Sequence, residues 1–90
     1  MTHVTFVKDP SAKKDYMLDW AAWLGDDTIT TSTWTVPTGM TKESDSKTAT
    51  TTTVWLSGGT LDAEYLITNL IETVGGRKEP RSFTVLMRST

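Results

Sequence analysis

The sequence predicts an all-β protein: an antiparallel, immunoglobulin-like β-sandwich of about seven short strands with one short helical turn. Three observations predict it. Threonine, whose branched Cβ suits a pleated strand and is mediocre in a helix, occupies nineteen of the 90 positions, including Thr28, Thr30, Thr31, Thr33, Thr35 and the run Thr50–Thr53. Apolar residues alternate with period two in one run after another, and Gly, Pro or Asp interrupts the runs roughly every ten residues. Trp34 and Trp55 lie inside the threonine tracts, where a disordered, mucin-like stalk would not carry them.

The elements follow in order. HVTFV, from His3 to Val7, alternates and ends at Asp9-Pro10, which makes it a first strand with Val4 and Phe6 on one face and Val7 on the other. KDYMLDW puts Tyr16, Leu18 and Trp20 on one side and Asp15, Met17 and Asp19 on the other, a half-buried strand. Trp20, Trp23 and Leu24 then recur at i, i+3 and i+4, with Gly25 in the place of a C-cap glycine, so a short helical turn plugs one end of a sheet. From Thr28 to Val36 the chain is strand again. Trp34 and Val36 share a face while Ile29 has the opposite parity, which predicts a bulge or a change of sheet. Pro37-Thr38-Gly39 is a turn, and Thr41 to Thr48, with no large side chain, is an exposed strand or loop. In the next strand Val54 and Leu56 face one way and Trp55 the other, and Gly58-Gly59 ends it.

Ala63 to Gly76 places Tyr65, Ile67 and Ile71 on one face and Leu66, Leu70 and Val74 on the other. A helix competes for this segment because Leu66, Leu70 and Val74 sit four apart. The weight of Tyr, Ile, Thr and Val favours a strand, and Gly75-Gly76 leads it into a second one from Arg81 to Arg88, with Pro80 just before. Tyr65, opening its strand after the acidic turn Leu61-Asp62-Ala63, stands where Greek-key sandwiches carry a tyrosine corner, although an ordinary core or rim tyrosine fits equally. Trp34, Tyr65 and the pairs Gly58-Gly59 and Gly75-Gly76 are thus the expected structural residues. The whole chain, 1–90, is one domain, with 1–8 a candidate for a mobile or exchanged first strand.

Composition narrows the function. A domain this size buries only about 60 to 65% of its unfolded surface, and without cysteine no disulfide or Cys-based metal site supplements the core. Four tryptophans, each burying up to ~250 Å², supply apolar area instead. The N-terminus lacks a signal-like apolar region and no run is long enough for a membrane span, so a soluble protein made in a cytoplasm is expected. Net charge is −2, and the nine basic residues are scattered rather than striped, which speaks against nucleic acid as a partner.

Conventional chemistry is sparse. His3 is the sole histidine and near a terminus, a poor base for a catalytic triad. Asp26, Asp27, Asp45 and Asp62 form no calcium-loop motif, and the glycine pairs lack the strand-loop-helix context of a phosphate loop. The carboxylate pairs Glu43 with Asp45 and Glu64 with Glu72 have no deep cleft to tune them. No catalytic, cofactor-binding or metal-binding residue is therefore expected. What stands out is surface: Leu66, Leu70, Val74 and Leu86 leave a second apolar face on the last two strands, covered either by the helical turn or by another chain. A rim of Trp20, Trp23 and Trp55 with Arg77 and Arg81 is the candidate interface, since Trp and Arg are enriched at hot spots.

DWAAWLGDDTITTSTWTVP, followed by TATTTTVWLSGGTLDAEYLITNLIETVGGRKEPRSFTVLMR, resembles a group of small structural, virion-associated proteins of tailed bacteriophages and prophages. Their pattern runs DW-x-x-WL-x-x-D-T-I, S-x-W-x-V, T-x-V-W-L-x-G-G, Y-x-(I or V)-T-N and G-G-R before R-S. It covers roughly Asp9 to Arg88, matching Asp19, Trp20, Trp23, Leu24, Asp27, Thr28, Ile29, Trp34, Val36, Trp55, Gly58, Gly59, Tyr65, Asn69, Gly75, Gly76 and Arg77. Lys78-Glu79-Pro80 falls outside it. The resemblance implies a non-enzymatic protein of the virion, present in the host cytoplasm during assembly. It would act by contact with other phage structural proteins or with its own copies, as capsid decoration, at the head-tail junction, or as a tail or fibre subunit. The competing class is a host-directed binding module: an inhibitor of a host enzyme, or a carbohydrate-binding domain using Trp23 beside Asp26.

Overall fold

The structure, a computed structural model, describes residues 4–89. His3 lies outside the described residues. Seven strands and one helical turn follow one another: β1 (Val4–Lys8), β2 (Lys14–Asp19), α1 (Ala21–Leu24), β3 (Ile29–Thr35), β4 (Met40–Lys47), β5 (Thr51–Gly58), β6 (Glu64–Thr73) and β7 (Lys78–Met87). They form a four-stranded sheet of order β1-β7-β6-β3 and a three-stranded sheet of order β2-β5-β4. The segment with rival helical spacing, β6, is a strand. Its inward residues Tyr65, Ile67, Asn69, Ile71 and Thr73 are buried, and Leu66 and Leu70 are exposed.

Two details depart from expectation. The protein is not wholly antiparallel, because β1 runs parallel to β7, Val4 beside Phe83 through Lys8 beside Met87. The whole fold separates these two strands in sequence, so no hairpin forces them antiparallel. β7 also starts three residues earlier than the alternation indicates, at Lys78, with Pro80 inside it opposite Leu70. Among the described residues β1 pairs with that strand only from Phe83 onward, and a proline near the start of a strand costs little. The parity change in β3 is a bulge: Ile29 pairs with Thr73 and Thr31 with Glu72, leaving Thr30 as the extra residue. Ile29 and Trp34 both turn inward as a result.

Side chains from both sheets share one core. Tyr16, Met40, Val54 and Leu56 meet Trp34, Tyr65, Ile67, Phe83, Val85 and Met87. Phe83 is its hub, edge-on to Phe6 at 5.4 Å and to Trp34 at 6.0 Å, and tilted against Tyr16 at 5.3 Å. A second, smaller cluster of Trp20, Leu24, Ile29 and Ile71 lies under α1. Asn69 and Thr52, both fully buried, belong to neither cluster. The Thr52 hydroxyl donates to Asn69 Oδ1 (2.8 Å) and accepts from Trp20 Nε1 (3.2 Å), while Asn69 Nδ2 donates to Ser32 Oγ (2.9 Å) and the Thr33 carbonyl (3.2 Å). This chain joins β5 of one sheet to β6 and β3 of the other, with every side-chain group in it engaged.

Other buried polar groups clamp the ends. Lys8 is fully buried, and its ammonium donates to the carbonyls of Gly58 (2.8 Å) and Asp9 (3.0 Å), tying β1 to the end of β5. Desolvation pushes its pKa below the usual lysine value. At the β5–β6 corner the Thr60 N–H donates to the Tyr65 hydroxyl (2.9 Å). Gly59 is required there, since a Cβ would come within 2.7 Å of Met87 and its φ is +102°. Tyr16 is different: its buried hydroxyl has no partner among the described residues.

Two expected outcomes follow from these contacts. Tyr65→Phe should lower unfolding free energy by about 1–2 kcal/mol, while Tyr16→Phe should be neutral or stabilising, because only the first removes a made hydrogen bond. Equal losses in urea titrations would contradict this. Asn69→Ala should cost about 2–4 kcal/mol by cutting the inter-sheet chain; a loss within experimental error would show that the network carries no stability.

Candidate functional site

The most elaborated local structure lies where α1 meets the β6–β7 turn. Asp19 Oδ1 accepts from the Ala21 N–H (3.0 Å) and starts the helical turn, and the Gly25 N–H closes it on Ala21 O (3.2 Å). The turn is too short to hold itself. Arg77 supplies the missing support from the far end of the chain. Its Nη2 donates to the Leu24 carbonyl (2.8 Å), its Nε to Asp27 Oδ2 (3.1 Å), and its guanidinium lies 4.2 Å from the Trp23 ring centroid. Asp27 Oδ1 in turn accepts from the N–H groups of Thr28 (2.9 Å) and Gly75 (3.0 Å). A Cβ on Gly75 would come 2.8 Å from Asp27, so the glycine is demanded by the close approach of this carboxylate.

Arg81 repeats the stacking one step along. Its guanidinium sits 4.0 Å from the ring centroid of Trp20, and Nη1 donates to the Asp19 carbonyl (3.1 Å). Trp20 and Trp23 meet edge to face at 5.6 Å. The result is a continuous ladder of Arg81, Trp20, Trp23 and Arg77 on one flank of the domain.

The five interface candidates therefore separate. Trp20, Trp23, Arg77 and Arg81 come together, but Trp20 is completely buried and its indole N–H is spent on Thr52, so it has no surface to offer. Just past β2, it shares the inner face of that strand with buried Tyr16. Arg77 is 43% exposed, yet most of its hydrogen-bonding capacity is used internally. Trp55 is elsewhere, since it pairs with Asp15 and Ser44 on the outer face of the three-stranded sheet and is 38% exposed. The single rim expected from sequence is two surfaces, because Trp55 sits between the inward residues Val54 and Leu56. Near it on the same outer face lies exposed Met17, whose partner Thr53 is two residues from Trp55.

α1 does not cover the second apolar face of β6 and β7. Its contacts Trp20, Leu24, Ile29 and Ile71 are on the inner side, whereas Leu66, Leu70 and Val74 remain exposed on the outer side with half-buried Leu86. Among the described residues there is no pocket and no group of three or more His, Cys, Asp or Glu placed to hold a metal ion. No described helix is long and apolar enough to cross a membrane. Asn69 was missed as a structural centre; the legible signal was an amide at an inward position of an otherwise apolar strand face.

Asp27 gives the site a pH signature. Hydrogen bonding by the Thr73 hydroxyl first, then by Gly75 and Thr28 N–H and the Arg77 guanidinium, holds its pKa at about 2, against an ordinary 3.8. A carboxylate with a depressed folded-state pKa adds stability that is complete above its unfolded value. The contribution is lost as pH falls from about 4 toward 2. Asp27→Asn should therefore flatten the acid limb of the stability profile over this interval. A variant with an unchanged acid limb would remove Asp27 from that role.

No curated protein matches the chain. Over residues 8–86, which span from the last residue of β1 to the penultimate residue of β7, it matches the family described as podophage GP4 fiber-tail adaptor protein gp77. With nearly the whole two-sheet domain inside that match, the chain belongs to the Gp77 family of podophage fiber-tail adaptor proteins.

Proposed function

We propose that this protein is a non-enzymatic component of a podophage tail, joining tail and fibre proteins through side-chain contacts on its surface. The observation that carries the proposal is the family match over residues 8–86, because the family is described as an adaptor between fibre and tail. Of the positions open to a virion protein, this description favours the tail over capsid decoration. An acidic protein, net charge −2, also suits a particle whose surfaces must not capture DNA nonspecifically.

The scaffold for these contacts is, in our reading, an immunoglobulin-like sandwich. Strand order β1-β7-β6-β3 against β2-β5-β4 supports it, as does Trp34 in the shared core on β3. So does the Tyr65 hydroxyl accepting a backbone N–H five residues upstream, the arrangement of a tyrosine corner. Contacts are assigned to Trp55 with Met17 on one face and to the half-buried Trp23 with Arg77 and Arg81 on the flank.

Quantitative mass spectrometry of purified particles tests the proposal: the protein should copurify with tails at a small copy number relative to the major capsid protein. Absence from tails, or copies by the hundred, would overturn it. Trp55→Ala should reduce incorporation with the melting temperature nearly unchanged, whereas Trp20→Ala should cost about 3–5 kcal/mol of stability. A large stability loss for Trp55→Ala would mark that residue as core.

A further inference from the structure

We infer that Arg81 is a preformed receptor for a carboxylate, the side chain of an aspartate or glutamate on another tail protein. The inference rests on the reading of the chain as a tail contact protein and names the chemistry of that contact. Three arginines are present, and two already hold carboxylates: Arg77 with Asp27 at 3.1 Å and Arg88 with Asp62 at 2.8 Å. Arg81 forms no ion pair among the described residues, although it is half-buried. The nearest candidate, Asp19, offers it a backbone carbonyl, and one of its carboxylate oxygens is engaged with the Ala21 N–H.

The Arg81 guanidinium is nonetheless fixed. Buried Trp20 lies against one face at 4.0 Å, and the Asp19 carbonyl holds Nη1 at 3.1 Å. Trp20 is itself locked by its bond to Thr52 and its edge contact with Trp23. A planar fork of five N–H donors is thereby oriented with a single described hydrogen bond made. Ordering an arginine before its partner arrives removes a rotamer cost from binding, and a carboxylate can then engage two parallel N–H groups. Half-exposed Trp23 packs edge-on to Trp20, the ring on which Arg81 rests. Among the described residues, β1 pairs with β7 only from Phe83 onward, beyond Arg81.

Charge decides the class of partner. Arg77, on the same ladder, is paired internally with Asp27, so among the described residues Arg81 is the ladder's one cation without an ion pair. An acidic side chain complements it. A basic or apolar one would leave a half-buried cation facing a like charge or no charge.

The test is a titration of the full chain with N-acetylglutamate amide and, separately, N-acetylglutamine amide at constant ionic strength. The Trp20 Nε1–H and the three arginine Nε–H signals are followed by NMR. The glutamate probe should shift Arg81 and Trp20 saturably, about ten-fold more tightly than the glutamine probe, with Arg77 and Arg88 unmoved. Arg81→Gln should abolish the Trp20 shift, and Arg81→Lys, which keeps the charge but not the planar fork, should weaken it. If Arg81→Gln fails to fold, Arg81→Lys carries the same comparison. Equal shifts with both probes, equal movement of all three arginines, or an undiminished Trp20 shift in the folded variants would overturn the inference. Sedimentation provides the second arm: a concentration-dependent dimer abolished by Arg81→Glu would give the carboxylate to a second copy and overturn the assignment to another tail protein. Failure of the wider tail reading is seen separately, as absence of the chain from purified tails.

Discussion

The hydrogen bond from Thr52 to Asn69 is the contact on which the rest of the structure depends. Apolar packing between the two sheets is strong but non-directional, and it would tolerate sliding of one inner face over the other. A buried hydroxyl and amide tolerate very little, because any slip leaves them unpaired in a low-dielectric interior. Through Asn69 the bond reaches Ser32 and Thr33 on β3, and through Thr52 it reaches Trp20 at the foot of α1. One polar chain therefore sets the register of both sheets and the position of the helical turn. It also divides the interior into the larger aromatic cluster around Phe83 and the smaller one around Trp20.

From that fixed Trp20 the flank is built outward. Trp23 packs on Trp20, Arg81 stacks on Trp20, Arg77 stacks on Trp23, and Asp27 ties Arg77 to the β6–β7 turn. The order matters. A four-residue helix has no stability of its own, so its placement comes from side chains fifty residues away. Rigidity at the surface is thus inherited from the core, which is the condition under which exposed Trp and Arg side chains make effective contacts.

The outer faces of the two sheets differ in character. On the three-stranded sheet, Trp55 and Met17 lie among residues such as Asp15 and Asp19. On the four-stranded sheet, exposed Leu66 and Leu70 lie among threonines and serine, with Thr68 bonded to Ser82. The stacked arginine ladder occupies a third direction. The domain thus presents three chemically distinct surfaces.

Much of this was legible in the chain itself. Period-two alternation identified β2, β5 and β6 and which residues of each share a face, because a strand's side-chain direction is a local property of its backbone; in β6 both faces were apolar, so alternation did not say which one turns inward. The i, i+3, i+4 spacing of Trp20, Trp23 and Leu24 located α1, and the parity change in β3 indicated a bulge or a change of sheet, of which the structure has the bulge, at Thr30. Position along the sequence could not say which residues become neighbours across the fold. The single tryptophan rim divided into a buried Trp20, a flanking Trp23 and a remote Trp55 once the strands were assigned to sheets. The same holds for the parallel pairing of β1 with β7, the burial of Lys8 and the pairing of Asp27 with Arg77. Sequence alone determined most of the elements and which residues share a face in each, since those depend on residues a few positions apart. Tertiary structure alone decided which polar groups close on one another and which surface each tryptophan joins, since those depend on how two sheets lie together in space.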